Sequence, residues 1–418
     1  MTKDRPSILI VNRVYPPLRG STGRMMHDLA RHFVKAGHKV TILATSTGRS
    51  TAASRGNITI VRIRDHGKTG FWGYAKTLWR LYRAMLRMPR HDVLITMSDP
   101  PLLYVAGQRA AKIKRSAHAH WCQDLYPDLF SALKFDIPDG VLKRAYTVGY
   151  KALGQIDCIV AISRCMQRHL IRIGVDQRKT AVIENWPDQE LVNPFAKAAA
   201  PPPEATLPHK KKLQERRLYT DPTGQKFRIL YAGTLGRAHP TDVIIQAAKI
   251  LQRAQPDIEL VFAGTGPGFE ALAAARASQG LDNIRLMPPQ PRASLSALME
   301  SGDVHLVTMK DEAMGLLMPS KFYSALGAHR PVIFAGPAEC DIARLVSRHN
   351  AGRVVRPDDG RGLATAIALF RTESEVWFAG QEGAKAALSG RLPSDAFALW
   401  SNVVKKLHDG KHPKRSSK

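Results

Sequence analysis

The residues best suited to bind an anion lie in turns that open into helical patterns. Ser320 and Lys321 follow a proline at one such start. A hydroxyl, an ammonium group and free backbone amides at that place suit a diphosphate. Three glycine-rich turns offer the same kind of surface, because glycine lets backbone amides approach an anion. The alternative interpretation of each is an ordinary strand-to-helix turn. Their candidate residues are Gly20, Gly23, Arg24, Gly233, Gly236, Arg237, Gly264 and Gly266.

The third turn, Gly264-Thr265-Gly266-Pro267-Gly268, also resembles part of a dinucleotide-binding fingerprint. That fingerprint requires an acidic residue about 20 residues further on, where it binds the ribose. The corresponding stretch, which begins at Arg285, has no acidic residue before Gln290. The sequence therefore argues against a dehydrogenase.

Short β-branched runs alternate with helical patterns over residues 8–184 and again over residues 227–335. Runs that are apolar throughout are typical of parallel sheets covered on both faces. The sequence predicts an α/β protein of two facing Rossmann-like domains, with a ligand in the interdomain cleft at the carboxyl ends of the strands. The predicted parts are an N-terminal domain (1–196), a Pro/Ala/Lys-rich linker or surface insertion (197–226), a C-terminal domain (227–400) and a basic tail (401–418).

The 418-residue chain carries a formal net charge of +27, of which +18 falls in residues 1–200. Such an excess predicts a polyanionic neighbour for the first half. Four cysteines without paired spacing indicate buried thiols in a reducing compartment. Asp4 interrupts the start of the chain, and no apolar stretch approaches the roughly 20 residues needed to span a bilayer. We therefore expect a cytoplasmic protein that has neither a signal peptide nor a membrane-spanning helix.

Residues 71–90 predict a helix with a basic stripe. Its cations recur at helical spacing at Lys76, Arg80, Arg83, Arg87 and Arg90. An apolar face lies opposite, and Trp72, Trp79 and Leu86 flank the stripe. Indoles beside cations suit an anionic membrane interface, whereas the alternative is a helix that packs on its sheet with a solvated basic face.

The segment from Gly315 to Ile333 resembles the donor-binding segment of bacterial family 4 glycosyltransferases of the GT-B fold, which reads Pro-Ser-Lys, a helix, then Gly-(Lys/Arg)-Pro-Val-Ile. The Gly233 and Gly264 turns resemble the same family. Further resemblances are Pro16-Pro17 with Gly20, Gly37-His38-Lys39-Val40-Thr41, Gln123-Asp124-Leu125-Tyr126-Pro127-Asp128 and Asn185-Trp186-Pro187-Asp188. These segments follow the family order over residues 8–370.

This resemblance implies that the C-terminal domain binds a nucleotide-diphosphate sugar, that the N-terminal domain binds the acceptor, and that transfer retains the anomeric configuration. Carried over by position, Ser320 and Lys321 contact the donor diphosphate, and the loop from Gly20 to Arg24 closes over it. Asp124 falls in the family's catalytic segment and orients or deprotonates the acceptor hydroxyl, which burial would favour by raising its pKa. The remaining donor contacts are expected at Met314, Gly315 and Ser324.

The chain departs from the family pattern at several donor positions. The Glu-x7-Glu pattern is absent, with Leu316 and Ser324 in the two glutamate positions. The arginine and lysine that clamp the diphosphate are also missing: Thr234 stands in one position, and the other falls near His239 or Pro240. A guanidinium can bind phosphate through two parallel hydrogen bonds, and Arg237 is therefore the candidate replacement for the missing arginine and lysine.

These observations predict a glycosyltransferase that acts on a glycan or lipid-linked acceptor at the cytoplasmic membrane face, in the synthesis of surface polysaccharide or lipopolysaccharide. Many enzymes of the resembled family use lipid-linked acceptors. No metal or other cofactor is required, since His118 and His120 lack a third ligand and no Asp-x-Asp is apparent. The alternatives are a non-catalytic polyanion-binding protein on the same fold and a GT-B sugar-nucleotide epimerase. Nucleic acid is not an expected partner, because no RNP, HTH or KH pattern occurs.

Overall fold

The computed structural model describes residues 5–18, 20–65, 70–192 and 226–411. The predicted linker, apart from Lys226, and the last seven residues of the predicted tail lie outside these ranges. The described chain forms two compact units. The N-terminal unit contains the described residues up to Asn185, the short segment Gly315–Met318 and the chain from Ser394 onward, and the C-terminal unit contains the rest.

The N-terminal unit is built on an eight-stranded sheet with the order β3-β4-β2-β1-β5-β6-β7-β8. All of its neighbouring strands are parallel except β3, which runs antiparallel to β4. The strands are β1 (Ile8–Val11), β2 (Val40–Ser46), β3 (Thr51–Arg55), β4 (Ile58–Arg64), β5 (Val93–Thr96), β6 (Ala117–Cys122), β7 (Cys158–Ala161) and β8 (Thr180–Val182).

Helices cover this sheet because each directs an apolar stripe at the apolar strands. They are α1 (Ser21–Lys35), α2 (Phe71–Arg87), α3 (Leu103–Lys114), α4 (Asp128–Ala132), α5 (Asp139–Gln155) and α6 (Arg164–Arg172). Leu81 and Met85 of α2 pack with Leu9 and Leu94 of the sheet in one buried cluster. Burial of each such side chain contributes roughly 1.5–3 kcal/mol.

The C-terminal unit is built on a six-stranded parallel sheet with the order β11-β10-β9-β12-β13-β14. Its strands are β9 (Phe227–Ala232), β10 (Ile258–Ala263), β11 (Ile284–Met287), β12 (Val304–Thr308), β13 (Val332–Ala335) and β14 (Gly352–Val355). Its helices are α7 (Gln189–Val192), α8 (Asp242–Ala254), α9 (Pro267–Gln279), α10 (Leu295–Ser301), α11 (Lys321–Gly327), α12 (Asp341–Arg348), α13 (Gly360–Thr372) and α14 (Ser374–Leu388).

A last helix, α15 (Pro393–Lys411), packs on the N-terminal unit. Trp400, Val404 and Leu407 recur at i, i+4 and i+7 and are buried. The indole of Trp400 meets that of Trp121 edge to face, with 5.0 Å between ring centroids. The prediction of a separate basic tail from residue 401 is therefore wrong for residues 401–411, because their apolar stripe has a core to bury against.

Among the described residues, no helix combines the length and the hydrophobicity that crossing a bilayer requires. The cysteines Cys122, Cys165 and Cys340 are buried and Cys158 is half-buried, and all four are free thiols.

Candidate functional site

Each unit gathers one set of candidate residues at the carboxyl ends of its parallel strands. In the C-terminal unit the turns after β9 and β10 pack backbone against backbone. Leu235 N donates to the carbonyl oxygen of Thr265 (2.8 Å), and Gly268 N donates to that of Leu235 (2.9 Å). A Cβ on Gly264 would collide with the Gly233 carbonyl oxygen, and Gly264 has a φ of 159°. The two turns can approach this closely because Gly264 has no side chain.

Lys321, the first residue of α11, lies against the turn after β9. Its Nζ is 4.8 Å from the ring centroid of Tyr231, and its Cε lies 3.2 Å from the position that a Cβ on Gly233 would occupy. Burial lowers the pKa of Lys321 to about 8. No carboxylate of the described chain lies within 4.0 Å of this ammonium group. A desolvated cation without an anionic partner is a good candidate to bind an anionic ligand.

His239 shares this neighbourhood, although the sequence marks it only as an altered family position. Its ring meets Tyr231 edge to face at 5.9 Å, and its Nδ1 lies 2.6 Å from the carbonyl oxygen of Thr308. Burial, together with the positive charges of Lys321 and Lys310, lowers the pKa of His239 to about 3, although the hydrogen bond to Thr308 opposes this shift. The imidazole is therefore neutral at ordinary pH.

The other predicted donor contacts lie close to Lys321 in sequence or in the same turns. Ser320 precedes α11 without making a side-chain capping bond, and Ser324 lies one turn further along the helix. Gly236 and the exposed Arg237 belong to the turn after β9. Met314 is exposed, directly before the segment that joins the N-terminal unit.

In the N-terminal unit, Asp124 lies in the loop after β6. The Ser98 hydroxyl accepts hydrogen bonds from the backbone N–H groups of Gln123 (2.8 Å) and Asp124 (3.1 Å). The Gln123 side chain pairs with that of Asn185 through two amide hydrogen bonds of 3.0 and 2.9 Å. These contacts fix the backbone from which the Asp124 carboxylate projects.

The Asp124 carboxyl has a pKa raised to about 6, chiefly by burial and additionally by the negative charge of Asp99. Asp99 follows β5 and is itself held by Arg13, whose Nε donates to Oδ1 at 2.8 Å. Burial raises the pKa of Asp99, which its ion pair with Arg13 opposes. A carboxylate with a pKa near 6 can accept a proton at neutral pH, which a general base must do.

The segment Gly315–Met318 joins the Asp124 loop as a short antiparallel partner. Leu125 N donates to the carbonyl oxygen of Leu316 at 2.7 Å, and Asp124 pairs with Leu317. Gly315 has a φ of 78°, and a Cβ there would lie 3.1 Å from the carbonyl oxygen of Cys165. The residues directly before Ser320 and Lys321 in sequence are thus anchored to the loop that carries Asp124.

The predicted closing loop lies at the start of α1. Gly20 precedes the helix, and a Cβ on Gly23 would lie 3.0 Å from the Val14 carbonyl oxygen. The Arg24 guanidinium donates to Asp28 at 3.2 Å, one helical turn further on. Arg24 is therefore engaged within its own helix.

The basic helix α2 has both an interior and an exterior apolar surface. Trp72 is 81% exposed and Trp79 is 53% exposed, while the Arg83 guanidinium lies 4.6 Å from the Trp79 ring centroid. Leu86, seven residues after Trp79 on the same helix, packs partly against the core. The helix ends at Arg87 because Met88 precedes a proline and is extended, which leaves Arg90 beyond it.

Both residue sets lie where open α/β sheets bind ligands, at the carboxyl ends of the strands. A family model described as a glycosyl transferase 4-like domain matches residues 20–186, and one described as glycosyl transferases group 1 matches residues 226–371. The chain belongs to the bacterial family 4 glycosyltransferases. This confirms the predicted enzyme class.

Among curated relatives, the chain is 28% identical over 220 residues to the putative colanic acid biosynthesis glycosyl transferase WcaI of Escherichia coli (strain K12), covering 51% of this chain and 49% of WcaI. It is 23% identical over 289 residues to the probable glycosyltransferase WbjE of Pseudomonas aeruginosa, covering 67% of this chain and 66% of WbjE. The aligned region thus spans about half of one relative and about two thirds of the other.

Among solved structures, the Anabaena protein Alr3699/HepE in complex with UDP-glucose aligns with a TM-score of 0.67 and 16% identity, covering 96% of this chain and 100% of that one. At this identity the similarity concerns the fold. It confirms the predicted architecture of two parallel-sheet α/β domains of the GT-B type.

Proposed function

We propose that the enzyme transfers a sugar from a nucleotide-diphosphate sugar to a glycan or lipid-linked acceptor, with retention, in the synthesis of surface polysaccharide or lipopolysaccharide. The observation that carries the proposal is Lys321, a desolvated ammonium group that has no carboxylate partner in the described chain. A diphosphate supplies the missing negative charge. The UDP-glucose complex of HepE and the colanic acid role in the name of WcaI support the same donor and product classes.

The chemistry divides between the two residue sets. The bond between the sugar carbon C1 and the diphosphate oxygen breaks, and a bond from the acceptor oxygen to C1 forms on the same face of the sugar, which retention in one step requires. The electron pair of the broken bond leaves with the nucleotide diphosphate, whose developing charge Lys321 stabilises. Asp124 takes the proton of the acceptor hydroxyl. Because Lys321 supplies positive charge, the proposal includes no metal cofactor, and EDTA is expected to leave turnover unchanged.

The donor is tested with a panel of UDP-, GDP-, dTDP- and CMP-sugars. One of the UDP-, GDP- or dTDP-sugars is expected to raise the melting temperature of the protein and then to release free nucleotide diphosphate only when a membrane extract supplies acceptor, whereas CMP-sugars, which carry a single phosphate, are not. Release without acceptor, accompanied by isomerised sugar, would instead indicate an epimerase. If no sugar nucleotide shifts the melting temperature of folded protein, the proposed function is wrong.

We further propose that α2 holds the enzyme on the anionic cytoplasmic face of the membrane. The 17-residue helix contains four basic and no acidic residues, and its two tryptophans are exposed beside the cations. Indoles favour the headgroup region, and each cation near an anionic surface contributes roughly 1 kcal/mol to binding. Burial of Leu81 and Met85 beneath leaves the outer face of α2 available for this role.

The double substitution Trp72→Ala and Trp79→Ala is expected to weaken vesicle binding by about tenfold or more, since each indole contributes on the order of 1 kcal/mol or more of interfacial burial. The measurement is co-sedimentation with vesicles of phosphatidylglycerol and phosphatidylcholine, against vesicles of phosphatidylcholine alone. Ile250→Ala, which removes an exposed apolar group from α8, is the matched control. Equal binding of wild type and double variant to anionic vesicles would contradict the role of α2.

A further inference from the structure

His239 occupies a place where its protonation state can respond to a bound phosphate. It lies between the carboxyl ends of β9 and β12, which are neighbours in the sheet. Its backbone N–H donates to the carbonyl oxygen of Gly236, which holds the residue in the turn that also contacts Lys321. Lys321 and His239 both contact the ring of Tyr231, whose centroid lies 4.8 Å from the ammonium nitrogen and 5.9 Å from the imidazole centroid.

The contact with Thr308 fixes the tautomer of this imidazole. A carbonyl oxygen only accepts, so the 2.6 Å distance from Nδ1 to the Thr308 oxygen requires the hydrogen to sit on Nδ1. The neutral ring therefore presents a bare lone pair at Nε2. The charged groups that face it are Lys321 at the start of α11 and Lys310 after β12, and Thr308 and Tyr231 supply the neighbouring polar contacts.

We propose that His239 is a second ligand of the donor diphosphate, and that it takes up a proton from solvent at Nε2 when the diphosphate binds beside Lys321. The incoming negative charge compensates for the burial of the imidazolium and offsets its repulsion by the two lysines, so that both ring nitrogens become donors. The proton returns to solvent when the nucleotide diphosphate leaves. This inference rests on the proposed donor class and adds that donor binding is coupled to proton uptake.

Calorimetry at pH 5.5 to 7.5 tests the coupling, with UDP-glucose, UDP-N-acetylglucosamine and GDP-mannose as probes. Their diphosphates have no terminal phosphate group that titrates in this range. Measurements in two buffers of different ionisation enthalpy give the number of protons bound. The wild type is expected to take up a proton per sugar nucleotide toward the acid end, where Lys321 is already charged, and its affinity is expected to rise as the pH falls.

His239→Gln is expected to lose most of this proton uptake and to bind the same probe about tenfold more weakly at pH 5.5, the loss expected of one hydrogen bond to a charged group. His349→Gln, directly after α12 in the same unit, is the control. Tight binding with equal proton uptake in wild type and His239→Gln would overturn the role of His239 alone. Failure of these probes and of every sugar nucleotide in the donor panel to bind folded wild type would overturn the proposed donor class and this inference with it.

Discussion

Replacement of Asp124 by asparagine is expected to lower kcat by about 10²- to 10⁴-fold, the range that a positioned general base contributes. Sugar-nucleotide affinity should stay within about threefold, because Lys321 rather than Asp124 supplies the charge for the diphosphate. The asparagine keeps the backbone N–H that donates to Ser98. Initial rates of nucleotide release, together with donor titrations, separate the two quantities.

The Asp124→Asn variant should also fold at least as well as the wild type. A carboxyl whose pKa rises from 3.8 to about 6 on folding removes stability as the pH increases through that interval, so a neutral amide relieves the cost at pH 7. Asp136→Asn, an exposed carboxylate of the same unit, is the matched control. A kcat within threefold of wild type in folded Asp124→Asn would show that Asp124 is not the base.

The pH profile distinguishes Asp124 from other carboxylates. The acid limb of kcat/KM is expected near pH 6, where Asp124 gains its proton. Asp99→Asn should move this limb to lower pH, because the negative charge of Asp99 raises the pKa of Asp124 and its removal also leaves the Arg13 charge uncompensated. A limb that stays in place or moves upward would contradict the assignment.

The strands that the sequence predicts most closely are those buried on both faces. Within residues 227–335, the mostly apolar runs that mark strands covered by helices form the strands Phe227–Ala232, Ile258–Ala263 and Val304–Thr308. The edge strand Thr51–Arg55 is exposed along its whole length and is not predicted. Its pairing with β4 depends on backbone hydrogen bonds, which leave no hydrophobic pattern to read.

The candidate site could be predicted only where one segment carries the chemistry. Lys321 and Asp124 follow from local motifs and a family resemblance. Asp99 and Arg13 could not be connected to Asp124, because only the strand order β1-β5-β6 makes the loops after these three strands neighbours. The role of His239 could not be predicted either, because its tautomer depends on Thr308, 69 residues away in sequence.

Lys321→Met is expected to weaken sugar-nucleotide binding by about 10- to 100-fold, since a hydrogen-bonded charge on phosphate is worth roughly 1.5–3 kcal/mol. Methionine keeps most of the length and the contact with Tyr231 but removes the ammonium group. The unliganded variant should be at least as stable as the wild type. The pKa of Lys321 falls from 10.5 to about 8 on folding, so the charged form opposes folding at every pH below 8.

The two effects of Lys321→Met therefore have opposite signs in one experiment. The melting temperature without ligand should stay level or rise, while the increase caused by the sugar nucleotide should shrink or vanish. Lys249→Met, which removes an exposed ammonium group from α8, should leave both quantities unchanged. A donor-induced increase that is as large in Lys321→Met as in the wild type would mean that the diphosphate is bound by other groups. In that case the glycine-rich turns and Arg237, rather than the desolvated ammonium group, would have to provide the charge and the hydrogen bonds.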